Sequence, residues 1–428
     1  MWEGVHAMKK RDSAVMNEAR ERARSDLELS SWSRQGHAWR ALEASPPLGV
    51  ISRLHCSTLS VVAFVSRFEG ANLPCLIDGL AEEWPAWKGS WEPRNLYAAY
   101  RHRRFRCGED DKSYPVKVKL KYFLRYMRNQ RDDSPLYVFD SMYNDHKTPS
   151  QLLEEYSVPP YFREDLLSLV GEHRRPPYRW MLLGPKRSGT NVHIDPLGTS
   201  AWNTLLYGRK QWVLFEPGVP REVVKGKDLV RKEEGEDDEP IDYFTKILPR
   251  IKARGGEALR ARMIECVQLP GETFFVPGGW WHAVINLDDT VAVTQNYCST
   301  TNFDRVWEQA RVGRRGMARK WLRALRDAGR GDLTARAHAL NATSGWDAEQ
   351  LAAAHRKRKA AKAAARAAKA EKRRARKALK RKAADSDSSG ESSSESSSGS
   401  SSSGSQTSVS SLSSTERAKR RGAMGGGM

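Results

Sequence analysis

From Leu136 to Asn296 short apolar or alternating runs recur between glycine and proline turns: Leu136 to Phe139, Trp180 to Leu183, Ala201 to Leu206, Gln211 to Phe215, Met263 to Leu269, Thr273 to Val276, Trp281 to Leu287, and Val291 to Thr294. Runs this short suit strands better than core helices. Pro270-Gly271 and Pro277-Gly278-Gly279 supply the tight turns that a meander needs. Repeated short strands with such punctuation close most readily into a double-sheet jelly roll or a barrel. An acidic interruption, Glu233 to Glu239, reads as a solvated loop between strands.

The flanks have a different texture. Met8 to Leu42 is charged and helix-prone, an arm laid over the domain or partly disordered, with Pro46-Pro47 at its end. Leu59 to Phe64 reads as a short helix and Leu73 to Asp78 as a strand entering the core. Arg101 to Cys107 and Lys117 to Arg128 mix basic and aromatic residues. Solvated faces of strands and helices explain that mixture better than a nucleic-acid surface does. After Thr301, Phe303, Val306, Trp307, Ala310 and Val312, then Trp321, Leu322 and Leu325, form an apolar helical stripe, suited to packing on the domain or to a homodimer. The expected organisation is a charged helical arm over residues 1–45, a catalytic domain over 46–302, C-terminal helices over 303–345, and a disordered tail over 346–428.

The formal net charge of +20 belongs mostly to that tail, because fifteen Lys and Arg accompany a single Glu between Arg356 and Lys382. A serine-rich run from Asp385 to Ser414 follows. Such composition buries too little apolar surface to offset chain entropy. Five scattered cysteines with no C-x-x-C pair argue against a zinc finger or a disulfide framework and favour a reducing compartment. The apolar runs are too short to span a bilayer, so a soluble, intracellular protein without membrane association is expected.

The chemistry concentrates at His193-Ile194-Asp195 and at His282. Two imidazoles and one carboxylate can hold a metal on one face and leave three positions open, the arrangement of non-haem Fe(II) oxygenases. In a strand, residues i and i+2 face the same side, so His193 and Asp195 can share a target. His282 opens an apolar strand just after Pro277-Gly278-Gly279. Iron held this way needs a co-substrate that supplies electrons, usually a 2-oxo acid. Lys210 alternates in phase with Trp212 and Leu214, so it points inward, where a lone ammonium needs a partner such as a dicarboxylate. Thr294 offers a hydroxyl to the same carboxylate. Tyr137, Asn203 and Asn296 are further polar groups on apolar strands.

The chain resembles the jumonji-C 2-oxoglutarate oxygenases. The resemblance rests on Arg175 to Trp180, Ser188 to Asn203, Pro277 to His282, Thr294 to Asn296, Ser299 to Phe303, Cys107 to Asp110, and Arg131 to Tyr137, and it extends over roughly residues 52–325. It implies a mainly β fold: a double-stranded β-helix core (jelly-roll, cupin-like) with N-terminal and C-terminal helices. It implies His193, Asp195 and His282 as iron ligands, with Lys210, Thr294, Asn203, Tyr137 and Thr190 around 2-oxoglutarate, and O2 as the oxidant. Similar members hydroxylate lysine side chains of nuclear proteins, Arg/Ser-rich splicing factors and histones among the expected substrates, and arginine demethylation is ascribed to them as well. A nuclear location and RNA contact through the basic tail follow as expectations. Two rivals stand beside this reading: a splicing-factor or RNA scaffold with an idle jelly roll, and a zinc or manganese cupin, which would leave Lys210 and Thr294 without a partner.

Overall fold

The computed structural model of the chain describes residues 2–143 and 151–343, with isolated positions between 353 and 364. Apart from those isolated positions, which are helical, the tail expected to be disordered from residue 346 lies outside the described residues. The chain divides into two compact units, Met1–Leu340 and Asn341–Met428, and the first carries the features below.

In chain order, the N-terminal half contains α1 (Lys10–Ala23), β1 (Ser52–His55), α2 (Val61–Phe64), β2 (Cys75–Asp78), α3 (Pro93–Tyr100), β3 (Arg104–Glu109), β4 (Pro115–Lys119) and α4 (Leu120–Asn129). Then follow β5 (Val138–Asp140), β6 (Arg179–Gly184), β7 (Gly189–His193), β8 (Ser200–Tyr207) and β9 (Lys210–Phe215). Three helices, α5 (Arg221–Lys225), α6 (Pro240–Asp242) and α7 (Leu248–Arg260), precede β10 (Met263–Gln268) and β11 (Thr273–Val276). The series closes with β12 (Trp281–Asn286), β13 (Thr290–Tyr297), α8 (Phe303–Gly313), α9 (Arg315–Asp327) and α10 (Gly331–Thr343).

Two sheets make the core. One is ordered β1-β2-β11-β8-β13-β6-β5 and the other β10-β9-β12-β7. Their inner faces meet: Leu76, Ala201, Phe274 and Val276 from the first pack with Trp212, Leu214, Cys266 and Val284 from the second. Trp212 stacks on Phe274 at 4.5 Å between ring centroids. This is the expected double-stranded β-helix, with the strand segments read from sequence in place and Lys210 in phase with the inward Trp212 and Leu214.

Helices cover both outer faces. Trp202, Phe275, Val293 and Tyr297 turn away from the sandwich into an aromatic layer with Phe64, Trp84 and Phe162. On the other side Val213, Phe215, Ala283 and Ile285 pack under Ile241, Phe244, Leu248 and Ile251 of the segment between β9 and β10. That helical insertion is not announced by the sequence as read above, because the acidic run Glu233 to Glu239 opens it and one turn is a π-helix, Tyr243–Ile247, which breaks the regular helical spacing of its apolar residues. At the C-terminal end Phe303, Trp307 and Trp321 form a ring cluster, and the Trp321 indole donates to the Leu166 carbonyl at 2.8 Å. The basic stretches before residue 129 are β3, β4 and α4, whose apolar faces carry Phe105, Val116, Val118 and Phe123 into the core.

Two expectations are corrected. The N-terminal helix ends at Ala23; beyond it the arm runs in short 3-10 turns, Leu29–Ser33 and His37–Trp39. The acidic stretch is not simply solvated, since it clamps the arm. Glu239 and Asp237 accept from Arg24 at 2.5 and 3.3 Å, and Glu236 takes both ends of the Arg250 guanidinium at 2.6 and 2.8 Å. Asp242, 1% exposed, receives Gln35 at 2.9 Å, His37 at 3.2 Å and Lys246 at 2.8 Å. Burial alone would raise its pKa, but these donors together hold the carboxyl well below its usual range. A charge count cannot foresee this: acidic residues whose partners are distant in sequence read as a solvated run.

A group with a depressed folded pKa stabilises above its unfolded pKa and loses that contribution as the pH falls. Asp242→Asn should therefore destabilise the protein by about 2–3 kcal/mol at pH 7, seen as a lowered thermal midpoint and faster proteolysis before residue 45. The gap between wild type and variant should narrow as pH drops below about 4.

Candidate metal centre

β12 and β7 are antiparallel neighbours, and His282 is paired directly with His193. Directly opposed residues on one face of a sheet bring their side chains together; here the imidazole centroids are 4.2 Å apart. Asp195 arrives differently from expected. β7 ends at His193, and Asp195 caps the turn Pro196–Gly198, whose Leu197 adopts a left-handed backbone with φ 60°. A non-glycine residue there costs about 1 kcal/mol. One carboxylate oxygen lies 3.9 Å from His193 Nε2 and the other 3.9 Å from His282 Nε2. The three ligand atoms all lie within 4.8 Å of one another.

The tautomers suit a metal. His193 Nδ1 faces the Asn191 carbonyl at 2.7 Å and His282 Nδ1 faces the Trp280 carbonyl at 3.1 Å. Each Nδ1–H therefore donates to backbone, and each Nε2 turns its lone pair toward the shared point. Burial, with His193 adding to it, pushes His282 down to about 4, so it is neutral at pH 7. Two imidazoles and a carboxylate on one side, with the rest of the sphere open, fit Fe(II). The His193 side chain is 39% exposed and that of His282 is 7%, so access is from the His193 side.

The pocket behind the metal is read from Lys210, on the inner face of β9. It is 1% exposed, and its ammonium has one hydrogen bond, to the Tyr137 hydroxyl at 3.4 Å. Burial pulls its pKa down to about 7. Among the described residues no carboxylate pairs with it, and a buried cation so placed calls for an anion from outside. Asn203 Oδ1 is buried without a hydrogen bond. Thr294 sits directly opposite Asn203, but its hydroxyl donates to the Trp202 carbonyl at 2.7 Å, so it must turn from that bond to serve a carboxylate. Thr190 joins the same face by a bulge: it and His193 are three positions apart, while their partners Val284 and His282 are two apart.

Two groups escaped the sequence reading. Asn286 lies directly opposite Lys210 on β12, with Oδ1 buried and unpaired. Its signal was an amide ending an apolar strand. Ser200 accepts from the Gly278 amide at 3.1 Å and from Asn302 at 2.9 Å, pinning the turn that precedes His282. Asn296, noted as a lone polar group, donates to Thr199 at 2.9 Å and ties β13 to the Asp195 turn.

Residues 180–297 match the family described as JmjC domain, hydroxylase. The chain is 42% identical over 310 residues to the bifunctional arginine demethylase and lysyl-hydroxylase psr-1 of Caenorhabditis elegans, covering 72% of this chain and 76% of that one. The chain belongs to the JmjC 2-oxoglutarate oxygenases. Other JmjC relatives include the arginine-specific demethylase JMJ22 of Arabidopsis thaliana, 40% identical over 58% of this chain and 47% of that one. The 2-oxoglutarate and iron-dependent oxygenase JMJD4 of Danio rerio is 27% identical over 60% of this chain and 65% of that one. This JmjC chain is thus an oxygenase using Fe(II) and 2-oxoglutarate, and the comparisons favour neither the idle scaffold nor the zinc cupin.

The dianion and the Lys210 proton should be linked. With the folded pKa near 7, Lys210 is neutral above that pH, and a bound carboxylate restores its charge. Calorimetry of 2-oxoglutarate binding to metal-loaded protein, in buffers of different ionisation enthalpy, should show close to one proton taken up at pH 8.5. Affinity should fall about tenfold per pH unit above about 7.5. Lys210→Gln should abolish the uptake and weaken binding by about a hundredfold or more.

Proposed function

We propose that this oxygenase acts on proteins, hydroxylating lysine side chains and, on methylated arginine, removing the methyl group. The similarity to psr-1 over most of both chains carries this reading. When bound, iron and 2-oxoglutarate supply the activation of O2 for insertion of one oxygen atom into a substrate C–H bond, with succinate and CO2 as by-products. The protein's own part is geometric. His193, Asp195 and His282 hold the metal on one side, and Lys210 with Tyr137 offers donors to the far carboxylate of the co-substrate. The aromatic wall of Trp212 and Phe274 keeps the inner pocket dry. On a lysine carbon the hydroxyl product is stable; on an N-methyl carbon the hydroxymethyl group leaves as formaldehyde. One site can therefore give both outcomes, depending on which carbon the substrate presents.

The substrates we infer are Lys/Arg-rich nuclear proteins such as splicing factors or histones, and the location we infer is the nucleus. The fifteen basic residues between Arg356 and Lys382 support both, and they support RNA contact, which phosphate attraction would make steeply salt-dependent. Among the described residues no helix is long and apolar enough to cross a membrane. The helices α8–α10 are the surface through which we infer a homodimer.

Incubating the iron-loaded protein with 2-oxoglutarate and Lys/Arg-rich peptides should yield succinate and peptides heavier by one oxygen atom, located on lysine by fragmentation. Asp195→Ala should reduce both products by a factor of about a thousand or more. Succinate without any modified peptide would remove proteins from the substrate class.

A further inference from the structure

The metal ligands hang from two turns, Pro196–Gly198 just after Asp195 and Pro277–Gly279 just before His282. The turns touch: a Cβ on Gly278 would lie 2.3 Å from the Gly198 carbonyl oxygen. Arg305, in the first turn of α8, lies across this seam. A Cβ on Gly198 would come within 3.0 Å of Arg305 Cγ, one on Gly278 within 3.3 Å of Cδ, and one on Gly279 within 1.9 Å of Nη1. Side chains at these positions would push the arginine away, so the three glycines form a floor along which its stem lies. The helix it springs from is itself immobilised, with Phe303, Val306 and Trp307 fully buried.

Among the described residues the guanidinium has no partner of its own. Its acidic neighbours on α8 are engaged elsewhere, Asp304 with Arg336 at 2.9 Å and Glu308 with Arg311 at 3.7 Å. Among the described residues Arg305 makes no hydrogen bond or ion pair. A planar fork of five N–H donors, pre-positioned and uncommitted, matches a carboxylate or phosphate from another molecule. The anion is not the co-substrate, whose counter-ion Lys210 lies deep between the sheets. Gly198 is three residues from Asp195 and Gly279 three from His282, so each glycine lies within about 11 Å of its ligand-bearing residue and the fork within a few ångströms more. An extended peptide advances about 3.3–3.6 Å per residue, which brings a side chain one to three positions from the reacting residue within reach.

We propose that Arg305 is a specificity-determining residue that selects protein substrates carrying an anionic side chain within about three residues of the oxidised lysine. This rests on the lysyl-oxygenase reading above. A basic target sequence interrupted by glutamate or phosphoserine would then be preferred over an uninterrupted basic run.

The test uses the full-length iron-loaded protein and one lysine peptide with glutamate, phosphoserine or glutamine two positions from the target. The glutamate and phosphoserine peptides should each show a KM about fivefold below that of the glutamine peptide, with kcat values within about twofold, the size of a partly exposed ion pair. The larger effect identifies which anion the site takes. R305Q should bring the three KM values together, R305K should restore part of the preference, and R305E should shift it toward a peptide with lysine at that position. Peptide binding followed by fluorescence anisotropy should give the same order. Equal KM values in the wild type would overturn the proposal, as would an R305Q variant that slows all three peptides in equal proportion, the mark of a merely structural clamp. If no lysine peptide is oxidised, the lysyl-oxygenase reading fails and the proposal falls with it, an outcome distinct from oxidation without preference.

Discussion

The pairing of His282 with His193 across two antiparallel strands is the constraint on which the rest of this protein depends. A sheet slip of one residue would turn either imidazole to the opposite face. The register is therefore guarded on both sides. On the inner face Trp212, Leu214 and Val284 must meet Phe274 and Val276; on the outer face Val213, Ala283 and Ile285 must meet the inserted helices. Both faces of the four-stranded sheet are buried against different partners, so a slip would have to repack both at once. The metal site takes its precision from packing that never touches the metal.

The second constraint is electrostatic. A sandwich this dry cannot hold a lone ammonium at low cost, yet Lys210 is 1% exposed, with a tyrosine hydroxyl as its hydrogen-bond partner. The fold sustains that burial through the large apolar area around it, and the result is a site with high differential affinity for a dianion. Asn203 and Asn286, each with a buried unpaired oxygen, are of the same kind: polar groups whose accounts close only when a ligand is present.

The N-terminal arm and the insertion between β9 and β10 show a different use of charge. Arg24, Gln35 and His37 from the arm converge on Glu239, Asp237 and Asp242, and the insertion that carries these acids roofs the four-stranded sheet beneath His282. Residues nearly absent from the apolar tally thus brace the sheet from outside. The turns on the other side are braced by α8, where Arg305 bridges the glycines of both ligand-bearing loops.

Much was legible in the sequence. Period-two alternation gave the strands and the inward phase of Lys210, and the spacing of His193 and Asp195 gave a metal pair, because these are local properties of a pleated chain. Long contiguous motifs gave the family. What sequence did not determine is where that strand stops: it ends at His193, and Asp195 stands at the head of a turn built on a left-handed Leu197. Nor did it reveal Asn286, the clamp at Asp242, or the unpaired fork of Arg305. Each of these is defined by a partner more than fifty residues away, or by the absence of one, and only the closed tertiary structure decides which distant groups meet and which are left waiting for a ligand.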